Sequence, residues 1–410
     1  MNREFLQKYA ELLIKVGVNI QKNDTLYLAF NEDGIPLSKC IAESAYRAGA
    51  SHVELIYSDH DVQRMAYLNE SEESLVSFPD WYRDRANGIA RNKACYMALL
   101  SDDPDIFSDI DSELLAKVAR AKHSVMKEYY DAATSNEIRW CLCAVPNKAW
   151  ASKIFPDISP DSAVVKLWDM IAKTMRLDRD DPVAAWSEHI DNLEYRSEYL
   201  TSQKFTSFII KNNLGTDLEV GMPDDYYFSG GYELAKDGVG FTANMPTEEV
   251  FSLPHKYHVN GIVYSSMPLV HNGKTVDKFY LRLENGRIVD YGAERGIDVL
   301  KGIIDSDEGS HYLGEIAFVQ YDSPIRSLNT LFYETLFDEN ASCHLAIGEA
   351  YPMVKGADSM SEDEQDMAGI NNSSEHVDFM FGTRDLSIVG IKADGTGVDI
   401  MRDGNFVIGK

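Results

Sequence analysis

Apolar residues recur at helical spacing over residues 6–16, and Asp24-Thr25-Leu26-Tyr27-Leu28-Ala29-Phe30 then reads as a strand. A second helical stretch over 36–48 stops at Gly49, a residue suited to a left-handed C-cap. Val53-Glu54-Leu55-Ile56-Tyr57 returns to the strand pattern. Strand, helix and strand in that order predict parallel pairing through a right-handed crossover. Residues 94–100 and 138–145 supply further strands, with helical patterns between them. The first part of the chain is therefore expected to be an α/β N-terminal domain around a parallel sheet.

The pattern changes after the polar stretch Arg176-Leu177-Asp178-Arg179-Asp180-Asp181-Pro182. A helix is expected from 182 to about 200, and beyond it short strands are punctuated by the hairpin signals Asn272-Gly273 and Asn285-Gly286. Helices are expected at 293–304 and 327–336, and the acidic residues 359–366 read as a mobile surface loop. The second part is thus an α+β C-terminal domain with mostly antiparallel sheet. The expected division is 1–181 and 182–410, in keeping with the size of single cores.

Composition narrows the class of protein. An apolar share of 44% and a charged share of 26% suit an ordinary globular chain. No apolar run approaches the roughly 18 residues of a membrane span. The first residues begin an amphipathic helix rather than a secretory signal, so a cytoplasmic protein without a membrane partner is expected. The net charge of −27 disfavours a nucleic-acid partner, because phosphate contacts need a basic surface. Such charge commonly serves solubility; a sharper reading places acidic groups around metals or the cationic N-terminus of a peptide. Cys40, Cys95, Cys141, Cys143 and Cys343 form no regular framework. Cys141 and Cys143 share one face of a buried strand, but two thiols do not complete a zinc site.

The turns after the first two strands lack the glycines of a dinucleotide fingerprint. His60, flanked by Asp59 and Asp61, reads as part of a surface turn rather than a metal site.

Chemistry gathers in the C-terminal part, in four short clusters. They are Pro246-Thr247-Glu248-Glu249-Val250-Phe251, Leu313-Gly314-Glu315-Ile316-Ala317, Phe337-Asp338-Glu339-Asn340-Ala341-Ser342-Cys343-His344 and His376-Val377-Asp378-Phe379-Met380. Each sets acidic or imidazole groups among apolar or small residues, where an isolated charge is costly to desolvate. Carboxylate and imidazole together suit a first-row divalent metal. On a strand, His376 and Asp378 project to one face while Val377 and Phe379 pack on the other. A single buried histidine such as His344 is commonly a hydrogen-bonded core residue, but its closeness to Glu339 and the His-x-Asp pair favour metal. Glu249 and Glu315, taken singly, read equally well as ion-pair or capping residues. Glu248 and Glu249, adjacent on an extended segment, face opposite ways. Tyr351 reads either as a core aromatic or as a phenol over the metals. His255, His258, His271 and His311 lie on less apolar segments and are left outside the site.

The strings Asn244-Met245-Pro246-Thr247-Glu248-Glu249-Val250-Phe251, Leu313-Gly314-Glu315, the run 336–351 and the run 372–380 together resemble the M29 aminopeptidases. Gly17-Val18-Asn19-Ile20-Gln21-Lys22 and Ala45-Tyr46-Arg47-Ala48-Gly49-Ala50 carry the likeness into the N-terminal half. The resemblance implies a cytoplasmic, dimeric exopeptidase using two divalent ions per chain, with cobalt, zinc, manganese or magnesium as the associated metals. It places the metal ligands on Glu249, Glu315, His344, His376 and Asp378 and puts Glu339 and Tyr351 near the metals; Glu339 is taken as the sixth expected ligand. The expected mechanism has Glu315 as bridging carboxylate and a metal-activated water as nucleophile. Glu248 is the expected general base and Tyr351 the expected partner of the tetrahedral oxyanion.

Two other functions use the same features. His344, His376 and Asp378 alone match the facial triad of a mononuclear iron ring-cleaving dioxygenase. Such a site has no need of Glu249, Glu315 and Glu339, which this chain retains. A non-catalytic oligomeric binding protein is expected to have lost ligands, and none is missing.

Overall fold

The protein, described by a computed structural model over residues 1–271 and 274–408, divides into two compact units. One comprises residues 1–188 and 232–246, the other residues 189–231 and 247–410.

In the first unit the sequence pattern becomes strands β1 (Thr25–Phe30), β2 (His52–Tyr57), β3 (Cys95–Leu100) and β4 (Trp140–Ala144). With β5 (Asn244–Met245) they form a parallel sheet ordered β2-β1-β3-β4-β5. Helix α1 (Arg3–Leu12) is capped by the Asn2 side chain, which accepts from Phe5 N, and runs into a π turn at Leu13–Gly17. The crossover helix α2 (Ile35–Ala48) ends where Gly49 turns left-handed at φ 108°, donating its N–H to Ala45 and Tyr46 carbonyls. Cys141 and Cys143 are buried on β4, and all five cysteines are free thiols. His60 opens the helix His60–Asn69 rather than lying in a turn, with Asp59 as its N-cap and Asp102 Oδ1 3.1 Å from its Nδ1.

A linear division at 181/182 does not express the return of residues 232–246 to this unit. Its basis is β5, which pairs Asn244 with Leu142 and Met245 with Cys143 and buries Met245 completely. Two residues carry no periodicity, so the sequence pattern gives no sign of that strand. Helix α3 (Pro182–Gln203) begins where expected and passes from one unit into the other.

The second unit is built on antiparallel sheets. The larger runs Leu269–His271, Lys274–Glu284, Val259–Tyr264, Asp217–Gly221, Ser207–Lys211, Ser387–Ile391, Gly397–Arg402, Asn405–Phe406, with Arg287–Arg295 paired to Lys274–Glu284. Asn285 and Gly286 adopt φ 49° and 81°, the left-handed pair that a two-residue hairpin needs. The other hairpin signal, Asn272-Gly273, lies outside the described residues.

Three local expectations change. Residues 293–295 extend a strand, and the helix Ile297–Ile304 starts only after Gly296 at φ 79°. The stretch 327–336 holds only the end of Pro324–Ser327 and the start of Thr335–Asp338, because Asn329 and Tyr333 take φ 44° and 56°. The acidic segment folds as the helix Glu362–Met367 under a Ser361/Glu364 capping box. There Asp366 accepts from Lys256 Nζ at 2.7 Å and from the Tyr257 hydroxyl at 2.8 Å.

The smaller sheet carries the four chemical clusters. Its antiparallel strands are β6 (Glu249–Ser252), β7 (Leu313–Val319), β8 (His344–Gly348) and β9 (His376–Met380), in that spatial order.

Candidate metal centre

Register places the ligand types on one face of this sheet. Phe251 lies opposite Ala317, Ala317 opposite His344, and His344 opposite Met380. One row away, Glu315 lies opposite Ala346, and Ala346 opposite Asp378. Because side chains alternate, Glu249, Glu315, His344, His376 and Asp378 share a face with the small residues Ala317 and Ala346. The other face carries Val250, Ile316, Phe318, Leu345, Val377 and Phe379 into the hydrophobic core. A register shift between Leu313 and Glu315 marks a bulge at Gly314, where an added Cβ would stand 2.0 Å from Glu349 O.

Two groups of donor atoms converge there among the described residues. Glu249, Glu315 and His344 form one; Glu315, His376 and Asp378 form the other, with donor atoms of each within 4.8 Å of one another. His344 Nε2 lies 3.2 Å from Glu249 Oε2 and 3.4 Å from Glu315 Oε1. His376 Nε2 lies 3.4 Å from both Glu315 Oε2 and Asp378 Oδ1. Glu315 therefore gives one oxygen to each group. The other ring nitrogens are committed elsewhere: His344 Nδ1 donates to Ser342 O at 3.1 Å and His376 Nδ1 to Glu349 O at 2.8 Å. Backbone carbonyls thus aim both Nε2 atoms at the carboxylates, the outer-shell arrangement usual for ligating histidines.

Without a cation, the imidazoles must balance the carboxylates. Burial would raise Glu315, but His344 and His376 hold its carboxyl down to about 2. Burial would lower both histidines; instead Glu249 and Glu315 push His344 well up, and Asp378 and Glu315 push His376 up to about 11. Glu249 is raised by burial despite His344. Glu339 is raised well above its ordinary range, first by burial and then by the charges of Glu249 and Asp378. Glu249 Oε2 and Asp378 Oδ1 are buried, and the imidazole beside each makes no well-aligned hydrogen bond to it. Mixed oxygen and nitrogen donors, oriented imidazoles and surplus buried carboxylate fit divalent cations.

A sequence profile described as thermophilic metalloprotease (M29) matches residues 2–406. Aminopeptidase AmpS of Bacillus subtilis is 40% identical over 402 residues, covering 98% of each chain. The chain belongs to the M29 family of metalloproteases. It is a metallo-aminopeptidase, a hydrolytic exopeptidase, by that membership. Wild-type AmpT from Thermus thermophilus superposes with a TM-score of 0.91 at 33% identity, covering 99% of each chain. A 2,5-dihydroxypyridine dioxygenase from Pseudomonas putida shares the fold at TM-score 0.56 and 11% identity, over 100% of this chain and 99% of that one. That likeness is one of fold alone, and the M29 assignment disfavours the oxygenase reading.

The other expected site residues of this M29 protein belong to neither group. Glu339 is outside both triplets, with Asn340 Nδ2 donating to its Oε1 at 3.3 Å. Tyr351 places its ring 5.4 Å from that of His376 and 6.3 Å from that of Phe251, keeping 52% of its surface exposed. Its phenol is nonetheless raised, first by desolvation and then by Glu315 and Asp378. Glu248 is buried next to Glu249, and its N–H donates to Asn340 Oδ1 at 2.8 Å. Its Oε2 lies 3.6 Å from His189 Nε2. His189 and Asn340 are the residues the sequence reading missed. Asn340 stood inside a noted cluster, but nothing local in α3 marks His189.

No described helix is long and apolar enough to cross a membrane.

Proposed function

We propose that the protein removes N-terminal residues from short peptides at a dinuclear metal site. The observation that carries this reading is the division of the Glu315 carboxylate between two histidines, 3.4 Å to each. One carboxylate serving two donor groups suits a pair of ions sharing a ligand, whereas a single ion would leave one group unused. Glu249, Glu315 and His344 would hold one ion and Glu315, His376 and Asp378 the other, with Glu339 beside them.

Bound divalent ions supply Lewis acidity, which polarises the scissile carbonyl and makes water a nucleophile near neutral pH. Glu248 takes the proton of the attacking water and delivers it to the leaving amine. Tyr351 donates its hydroxyl to the developing oxyanion. Surplus carboxylate holds the free α-ammonium of the substrate, which limits cleavage to the first peptide bond. The family resemblance extends the reading to a cytoplasmic homodimer.

The test is release of free amino acid from dipeptides and tripeptides by chelator-treated protein, before and after cobalt, zinc, manganese or magnesium is restored. Activity only with metal, two ions per chain and inert N-acetylated peptides are expected. One bound iron with no peptide cleavage under any metal would overturn the reading in favour of the oxygenase.

A further inference from the structure

Glu248 is approached by His189 and Asn340, neither of which belongs to the two donor groups. From α3, His189 Nε2 lies 2.8 Å from the carbonyl oxygen of Thr247 and 3.6 Å from Glu248 Oε2. A carbonyl oxygen only accepts, so Nε2 carries the proton and donates it to Thr247 O, with the Glu248 carboxylate beside the same nitrogen at more than hydrogen-bond length. From the turn before β8, Asn340 Oδ1 accepts the Glu248 N–H at 2.8 Å. Asn340 is itself fully buried, and its Nδ2 donates to Leu336 O at 3.2 Å and Glu339 Oε1 at 3.3 Å. Both polar ends of the peptide unit that leads into the Glu248 Cα are thereby held, with one carboxylate oxygen beside His189. The glutamate side chain is 1% exposed and that of His189 12%, so water competes little for either.

We infer that His189 and Asn340 are positioning residues for Glu248, holding its carboxylate at the angle from which it exchanges protons with water and the leaving amine. This rests on the proposed role of Glu248 as general base. The physical case is one of orientation. A general base must lie within hydrogen-bond reach of the proton it takes, and a free glutamate has three rotatable bonds with which to miss it. The carbonyl of Thr247 and the N–H of Glu248 flank the bond that sets where the side chain starts; His189 then selects among its rotamers. Loss of His189 should therefore lower kcat while leaving KM and metal content alone.

The experiment is a double-mutant cycle on the metal-loaded full chain with a dipeptide substrate, using His189→Gln, Glu248→Gln and the pair. Bound metal and thermal midpoint are measured for each variant. His189→Gln is expected to lower kcat about 10- to 100-fold, the range for loss of a supporting partner, with KM within about twofold and two ions kept. In the Glu248→Gln background the same change should cost less than about twofold, because the group it orients no longer acts as a base. An undiminished kcat in His189→Gln, or an equal loss in both backgrounds, would overturn the inference while leaving the role of Glu248 intact. Full activity in Glu248→Gln would instead remove the general-base reading itself, and the inference with it. If His189→Gln loses metal or thermal stability, Asn340→Ser replaces it in the cycle with the same expected coupling. Loss of metal or additive behaviour in that second variant as well assigns both residues a structural role and overturns the inference.

Discussion

Glu315 Oε1 stands 3.4 Å from His344 Nε2, and the other oxygen of the same carboxylate reaches His376 Nε2 at the same separation. Deleting Glu315 removes a donor from both groups at once, whereas deleting His376 strips only one. Glu315→Ala is expected to bind neither ion firmly. His376→Ala should keep about one ion per chain. Both should lose more than about 100-fold in kcat/KM, beyond what a supporting partner costs. Metal counting after gel filtration checks this; equal stoichiometry in the two variants would refute the shared carboxylate.

Chelation tests the electrostatics of the same cluster. Glu249 and Glu315 are 8% and 6% exposed, and Glu339 is raised by burial and by their charge. Like charges this close repel strongly when taken from water. The metal-free protein is expected to unfold at lower temperature than the loaded one, with recovery on adding metal. Metal at a hundred times its Kd contributes about 2.7 kcal/mol by mass action. Identical midpoints with and without metal would show that the site is balanced by protons alone.

Tyr351 separates a chemical role from a packing role. Its ring lies 5.4 Å from that of His376, while half of its surface faces solvent. Tyr351→Phe keeps the ring and removes only the donor. Loss of one donor to a developing oxyanion costs about 100- to 1,000-fold in kcat. A fall of that order with unchanged KM and metal content is expected in steady-state assays. Unchanged kcat would assign Tyr351 to packing alone.

Periodicity made β1 to β4, the α2 cap and the Asn285-Gly286 hairpin legible, because each is a local signal. The face shared by Glu249, Glu315, His344, His376 and Asp378 was half legible. His376 and Asp378 stand on one strand, so alternation alone aligns them; alignment with Glu249 and Glu315 depends on register between strands distant in sequence. The bulge at Gly314, which sets that register for Glu315, has no pattern of its own. The continuous helix expected over 327–336 failed because backbone sign at Asn329 and Tyr333 is set by their surroundings. Asp338 supplies part of those surroundings, accepting from Phe332 N at 2.7 Å and Glu334 N at 3.2 Å. His189 was invisible for a related reason: its partner is 58 residues away.

Asp307 links acid stability to the site. Its carboxylate accepts from Ser310 N at 2.8 Å, Ser373 Oγ at 2.8 Å and Ser374 N at 2.6 Å, fixing the chain just before His376. Burial would raise its pKa, but the hydrogen bonds from Ser374 and Ser373 hold it well below the ordinary range. A carboxyl depressed in the folded state stabilises fully above the unfolded value of about 3.9, and that contribution is lost as pH falls below it. Asp307→Ala should therefore be less stable than wild type at neutral pH and converge with it in acid. Metal affinity at the His376 group should weaken about 10- to 100-fold. Unfolding midpoints across pH 2.5 to 7 decide, since a constant gap between the two proteins contradicts a titrating role.

Ala346 is where the register makes its most exposed claim. It lies directly between Glu315 on β7 and Asp378 on β9, on the ligand face, and is completely buried. Opposed residues on neighbouring strands stand only about 4.5–5.5 Å apart at Cβ, so a branched side chain there fills the space over which the carboxylates converge. Ala346→Val keeps a good strand former and adds no charge, so the sheet itself should survive at an overpacking cost of about 1–3 kcal/mol. The loss should fall on metal at the Glu315–His376–Asp378 group, with activity following it. The matching change on the opposite face, Ile347→Val, removes a methylene from the core and should cost stability of about 0.5–1.5 kcal/mol with metal binding kept. Paired measurements of metal content and denaturant midpoint separate the two outcomes. Full metal content in Ala346→Val would mean that the ligands do not converge over that position, and the shared-face arrangement would have to be abandoned.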